Sequence, residues 1–233
     1  MASIYLIRHG QASFGQADYD CLSAMGEQQA SHLGRVLATR IGAFDKVALG
    51  SMKRHKQTAQ TCIAATVCEA EAPQLEIDAD WNEYDHQDIL NQLHSDFATP
   101  AGVKAYVAAQ DNPHKALENM IAEAFKRWID GKYDAEYIEP WQDYQRRIQK
   151  ALETLVANLQ GEKKVAVFTS GGPIALLSQQ ILGVPPENLM KLNWTLLNCG
   201  VTKLITTRSG VILSSLNEHS AFEGEHQHLI TYK

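Results

Sequence analysis

The chain lacks closely spaced cysteine pairs. Its 4 cysteines, Cys21, Cys62, Cys68 and Cys199, form no Cys-x-x-Cys and no zinc-ligand spacing, so they are expected to be thiols in a reducing compartment. A basic excess is missing too. With 21 Lys and Arg against 27 Asp and Glu, the net charge of −6 gives no global field for nucleic acid or an anionic membrane. Any anion must be held by local charge. No apolar run approaches the roughly 20 residues that cross a bilayer. The amino-terminal run is broken almost at once by Arg8, so no secretory leader is expected. Internal repeats and low-complexity tracts are also absent. A cytoplasmic protein with no nucleic-acid or membrane partner is the expectation. At 233 residues, 45% hydrophobic and 21% charged, it has the length and composition of a single domain with room for an insertion.

Short apolar runs alternate with helical periodicity. Residues 3–7 read as a buried strand, and from Ser23, a natural N-cap, Ala30, Leu33, Leu37 and Ile41 fall on one helical stripe. "KVALG" (46–50) predicts a second strand. "RHKQTAQTCIAATV" predicts a helix whose inner face is Ala59, Cys62, Ile63 and Thr66. "QLEIDAD" predicts a third strand, alternating at Leu75 and Ile77. Residues 85–138 carry helical pieces and no apolar strand, and are read as a helical insertion over the main domain. Pro140 suits the first turn of a helix whose inner face is Trp141, Tyr144, Ile148, Leu152, Leu155 and Leu159. "KVAVFT" (164–169) is the clearest strand. Pro173 and Gly183 bracket the next helix, and two strands meeting at Ser209-Gly210 follow. The pattern predicts an α/β fold with a three-layer, doubly wound, mostly parallel sheet and helices on both faces, residues 1–233 forming one domain. Ligands of such sheets bind beyond the carboxyl ends of the strands.

Three strand ends carry chemistry. The first ends in Arg8-His9-Gly10, the second leads to Arg54 near a helix start, and the third ends in Thr169-Ser170-Gly171-Gly172 before another helix. Guanidinium forks match phosphate oxygens, and helix N-termini add N–H donors and a positive dipole end. A histidine between two arginines is biased to the neutral, nucleophilic form. The partner implied is a small phosphorylated substrate or inorganic phosphate, with no cofactor and no metal.

"LIRHGQ", "RHKQTA" about 45 residues on, "WNE" after the third strand and "SGGPIALL" after the last parallel one together resemble the histidine phosphatase, or phosphoglycerate-mutase-like, superfamily. The resemblance covers most of the chain, residues 85–138 least. It implies that His9 is a nucleophile forming a phosphohistidine, that Arg8 and Arg54 bind the phosphoryl group, and that Glu83 is the general acid and later the base. It also implies phosphatase chemistry without a metal.

The chain departs from the family pattern in places. Ser170 stands where the family has a second histidine that contacts the phosphoryl group; its hydroxyl and the Gly171 and Gly172 N–H groups are left to line the pocket. Gly15 replaces an asparagine common in mutases, and a serine usual four residues before the second arginine is shifted by one, to Ser51. These departures keep two other readings in view: a degenerate relative that binds a phosphorylated ligand without turnover, and a phosphomutase. Asp80 and Asp85 compete with Glu83 for the acid role. Helical spacing sends Lys53, His55 and Lys56 away from the pocket that Arg54 faces. His219 and His86 are candidates to replace the missing histidine in space. "NEHSAFEGEHQH", with His219, His226 and His228, reads as a solvated tail rather than a metal site. Trp81, Trp128, Trp141 and Trp194 are assigned to packing.

Overall fold

A computed structural model describes residues 1–13, 20–66 and 73–232; Gly15 and Cys68 lie outside them. Strands β1 (Ser3–Arg8), β2 (Lys46–Leu49), β3 (Leu75–Ile77), β4 (Lys164–Thr169), β5 (Val201–Thr207) and β6 (Gly210–Glu218) form one sheet in the order β3-β2-β4-β1-β5-β6. The first four are mutually parallel; β5 runs antiparallel to β1, and β6 antiparallel to β5. The register sets Arg8 level with Thr169 and Leu49 level with Phe168, so three parallel strands deliver their carboxyl ends to one edge.

The period of two along each strand divides the core. Ile4, Leu6, Val165 and Val167 face one layer, and Tyr5, Ile7, Ala166 and Phe168 the other. The second face is covered by α1 (Ala24–Arg40) and α2 (Lys53–Ala64), through Ala30, Leu33, Leu37, Ala59, Cys62 and Ile63. Ser23 caps α1, its hydroxyl accepting from Gly26 N at 3.1 Å. The Cys62 thiol is pushed up to about 12 by burial, the behaviour of a packing group rather than a reactive one.

The first face carries α6 (Trp141–Ala157) and α7 (Gly171–Leu182), together with two helices from residues 85–138, α3 (His86–Leu93) and α5 (Pro113–Asp130); α4 (Pro100–Ala108), between those two in sequence, buries no residue. Pro140 sits at the N-cap of α6, one position before the first turn. Burying Ile148 beneath α6 contributes roughly 1.5–3 kcal/mol. An aromatic cluster joins α5 to α6: the Trp128 ring lies 5.0 Å from Trp141 and 5.4 Å from Tyr144. Tyr84 meets the same rings, at 5.0 Å from Phe125 and 5.6 Å from Trp128.

Four expectations need correction. Strand β3 buries neither of its apolar residues fully. It is a three-residue strand at the edge of the sheet, with Ile77 57% exposed. Helix α7 begins at Gly171 rather than Pro173, since the turn after β4 is already helical. Trp194, on the short α8 (Leu189–Thr195), is 44% exposed. The carboxyl-terminal stretch is anchored rather than solvated: Phe222 and Leu229 are buried, and the His226 ring lies tilted against that of His32, centroids 3.9 Å apart. No helix among the described residues is long and apolar enough to cross a membrane.

Candidate active site

His9 is buried just past β1, and its backbone N–H donates to Thr169 O on β4 at 2.9 Å. The ring is fixed at both nitrogens. Nδ1 donates to Gly10 O at 2.7 Å, which leaves the lone pair on Nε2, and Arg54 Nε–H donates to that nitrogen at 3.2 Å. Burial, then the charges of Arg54 and Arg8, hold the His9 pKa well below its usual value, so the ring is neutral at physiological pH. Thr58, one turn along α2 from Arg54, ties the loop to the helix. It accepts from Gly10 N at 3.0 Å and donates to Arg54 O at 2.6 Å.

Arg54 is buried at the start of α2 and is oriented by Asp20, whose Oδ1 lies 2.7 Å from Nη1. Asp20 Oδ2 accepts from Lys53 N at 2.8 Å. Arg8 ends β1 and donates to the carbonyls of Leu196 and, at 3.0 Å, Tyr232, so the carboxyl-terminal stretch helps to hold this guanidinium. Asn198 extends the connection. It donates to His9 O at 3.1 Å, its N–H donates to Thr231 O at 3.0 Å, and its Oδ1 accepts from the Thr231 hydroxyl at 2.8 Å.

Glu83 arrives from the segment after β3. Its Oε2 accepts from Gly172 N at 3.1 Å and its Oε1 from Tyr84 N at 3.2 Å. Burial raises its pKa, outweighing those two N–H groups and the charges of Arg54 and Arg8. A half-buried carboxyl raised in this way can carry a proton at higher pH than an exposed one, as a general acid requires. A Cβ on Gly172 would lie 2.0 Å from Glu83 Oε1, and one on Gly171 would lie 2.3 Å from Asn193 Oδ1 and 3.5 Å from Arg8 Nε. The paired glycines are therefore what lets the start of α7 approach Glu83 on one side and Asn193 and Arg8 on the other. Asp80 and Asp85 are used elsewhere: Asp80 faces Lys150 at 3.9 Å, and Asp85 caps α3 through Gln87 N and Asp88 N.

Ser170 is fully buried at the N-cap position of α7, but its hydroxyl does not cap the helix. It lies 2.7 Å from His55 Nε2. His55 is likewise fully buried, its ring centroid 5.7 Å from that of His9. The expectation that His55 turns away from the pocket is thus corrected. It follows Arg54 in the first turn of α2, where the helix meets two strand ends at once, so adjacent side chains both point inward. The space for its ring is Gly50, where a Cβ would lie 2.2 Å from Nδ1. Burial, then the Arg54 charge, lowers the His55 pKa to about 3. His86 stands exposed at the start of α3, within electrostatic reach of Arg54. His219 bonds to Asn217 O at 2.8 Å and joins none of these groups.

The structure thus gathers Arg8, His9, Arg54, Glu83, Ser170 and Gly171 at one sheet edge, and adds Asp20, His55, Thr58 and Asn198. Of the additions, His55 and Thr58 lie within the "RHKQTA" stretch; Asp20 and Asn198 carry no local signal. Among the described residues no group of three His, Cys, Asp or Glu side chains is placed to hold a metal ion.

Comparison with solved structures returns the same fold. A phosphoserine phosphatase from Entamoeba histolytica, in complex with 3-phosphoglyceric acid, is 17% identical over 95% of this chain and 99% of its own, with a TM-score of 0.65. A phosphoglycerate mutase from Bacillus anthracis is 18% identical over 94% of each chain, with a TM-score of 0.63. An alpha-ribazole phosphatase from Shigella flexneri is 18% identical over 93% of this chain and 96% of its own, with a TM-score of 0.57. No curated protein matches the chain significantly. The family profile matches residues 4–116 and 105–219, and with the motifs at three strand ends gathered at one edge, the chain belongs to the histidine phosphatase superfamily, branch 1.

Proposed function

We propose that this protein is a phosphatase that hydrolyses small phosphate esters through a phosphohistidine at His9. The observation that carries the reading is the state of the His9 ring: Nδ1–H committed to Gly10 O, and an Nε2 lone pair facing the Arg54 guanidinium. A neutral imidazole so oriented presents one nitrogen to an electrophile, and the neighbouring cation is suited to the oxygens of that electrophile.

His9 Nε2 attacks phosphorus as the bond from phosphorus to the ester oxygen breaks, and protonated Glu83 gives its proton to the departing alkoxide. Arg8 and Arg54 neutralise the charge spread over the phosphoryl oxygens, which lets positioning and electrostatics supply the rate enhancement. In the second half, the Glu83 carboxylate takes a proton from water. The water oxygen attacks phosphorus, the N–P bond breaks, and inorganic phosphate leaves with His9 neutral and Glu83 protonated again. The elevated Glu83 pKa supports its part in both halves.

Release of inorganic phosphate from an aryl phosphate, measured with a chelator present, tests the reading. The wild type is expected to turn over and to yield an acid-labile phosphoprotein on quenching, and His9→Ala to do neither. Turnover that persists in His9→Ala would remove the mechanism. Binding of inorganic phosphate without turnover of any ester would identify a degenerate binder, and conversion between phosphoglycerate isomers a mutase.

A further inference from the structure

We propose that His55 and Ser170 form a neutral donor relay, in which His55 Nε2–H donates to Ser170 Oγ and so frees the Ser170 O–H to donate to a phosphoryl oxygen held against His9. The relay rests on the phosphatase reading for what occupies the site; its internal geometry does not.

The argument begins with the two ring nitrogens of His55. Nε2 lies 2.7 Å from Ser170 Oγ, whereas Nδ1 is buried with no hydrogen-bond partner. A neutral imidazole carries one proton. On Nδ1 it would be a buried N–H facing the backbone at Gly50, and orphaned buried N–H groups are the rarer and costlier defect. The proton therefore sits on Nε2, and the orphan is a lone pair. This makes Ser170 Oγ the acceptor in that bond, and its own hydrogen is directed elsewhere. It does not cap α7, and the His55–Ser170 contact lies beside the His9 ring, where a phosphoryl group would bring anionic oxygens.

The chemistry differs from that of a third cation. Two guanidiniums already depress the His9 pKa, and a further positive charge would add repulsion among them. A neutral chain supplies a polarised donor without it. His55 is suited to this because burial and Arg54 keep it uncharged far below neutral pH. His55 is thus a positioning residue, and Ser170 is the group that touches substrate.

Histidine-selective 15N NMR of the wild type reads the tautomer directly: the Nε2–H form is expected, and the Nδ1–H form would overturn the proposal. Steady-state kinetics on an aryl phosphate read the coupling. Ser170→Ala is expected to lower kcat/KM about 100-fold, the scale for one lost transition-state donor. His55→Met is expected to lower it about tenfold, the scale of one hydrogen bond. The double variant should fall no further than Ser170→Ala alone. His55→Gln, whose amide N–H can stand in for Nε2–H, should recover most of the His55→Met loss, which a merely space-filling histidine would not predict. Multiplied losses, or His55→Gln no better than His55→Met at equal melting temperature, would overturn the relay. If the wild type hydrolyses no ester, the phosphatase reading has failed. The relay is then judged by the tautomer and by calorimetry with inorganic phosphate, where Ser170→Ala should weaken binding about tenfold and unchanged binding would sink it.

Discussion

His9 and Glu83 serve the same sheet edge but are held there by different forces. Around His9 the support is polar and short-range: Thr169 O, Gly10 O, Thr58 and Asn198 fix backbone and ring through individual hydrogen bonds. Glu83 accepts two backbone N–H bonds, but the segment that presents it is positioned by packing. Trp81 is buried beside it in sequence, and Tyr84 lies among Phe125, Trp128 and Tyr144. Directional bonds place a nucleophile to within tenths of an ångström. Ring packing places a carboxyl less sharply, but partly shields it from water and thereby raises its pKa.

This contrast is open to experiment. The largest effect is expected at the polar wall, where His9→Gln should lower turnover on the order of 10⁶-fold while leaving the melting temperature near that of the wild type. A modest loss would mean that the hydrogen-bonded wall does not hold the nucleophile. At the packed wall, Glu83→Gln should cost on the order of 10³-fold with an alkyl phosphate and far less with a nitrophenyl phosphate, whose leaving group needs no proton. Equal losses on both substrates would show that Glu83 acts otherwise than as an acid. Trp128→Ala, which touches neither wall's reacting atoms, should destabilise the fold by about 4 kcal/mol in denaturant titration. It should also slow alkyl more than aryl phosphate hydrolysis, because the rings behind Tyr84 are lost. If Trp128→Ala spares the alkyl-to-aryl ratio, packing does not position Glu83.

The smallest effect is in pH. His9 and His55 have lowered folded pKa values, so below the ordinary histidine pKa the unfolded chain binds more protons and stability falls as pH falls. For His55, with a folded value of about 3, the loss between pH 7.5 and 5 is about 2 kcal/mol, and His55→Gln should remove that share of the slope. An unchanged slope would mean that the ring is less buried than its surroundings indicate. Glu83 acts in the opposite sense. Its raised pKa predicts an alkaline limb in kcat, as the proton for the leaving group is lost.

The polar wall was legible from sequence only where its parts are local; Asn198, 189 residues from His9, was not. Arg8, His9 and Gly10 are consecutive at a strand end, and Arg54 and Thr58 lie one turn apart on a helix. The strands and helices of the sheet follow from periodicity for the same reason. Glu83 was legible as a residue, but its environment was not, since Phe125, Trp128 and Tyr144 reach it from distant helices. His55 was misread because helical spacing alone assigns one inner face, whereas the first turn of α2 is enclosed on two sides. The carboxyl-terminal histidines looked solvated because their stretch is polar. Phe222 and Leu229 anchor it, and hydrogen bonds from Gln29 Nε2 to Leu229 O and Thr231 Oγ1, each 2.7 Å, are invisible to composition.

The two indoles whose centroids lie 5.0 Å apart, Trp128 and Trp141, also give the molecule an optical signature of its own. Packed at that separation with 73° between their planes, both rings sit in a fixed, asymmetric environment. A near-ultraviolet dichroism band should therefore report the order of these rings, while the far-ultraviolet signal follows the helices. Conditions that loosen side-chain packing but spare the backbone would erase the first and leave the second, and the loss would register the slackening of the wall behind Glu83 before any unfolding is visible.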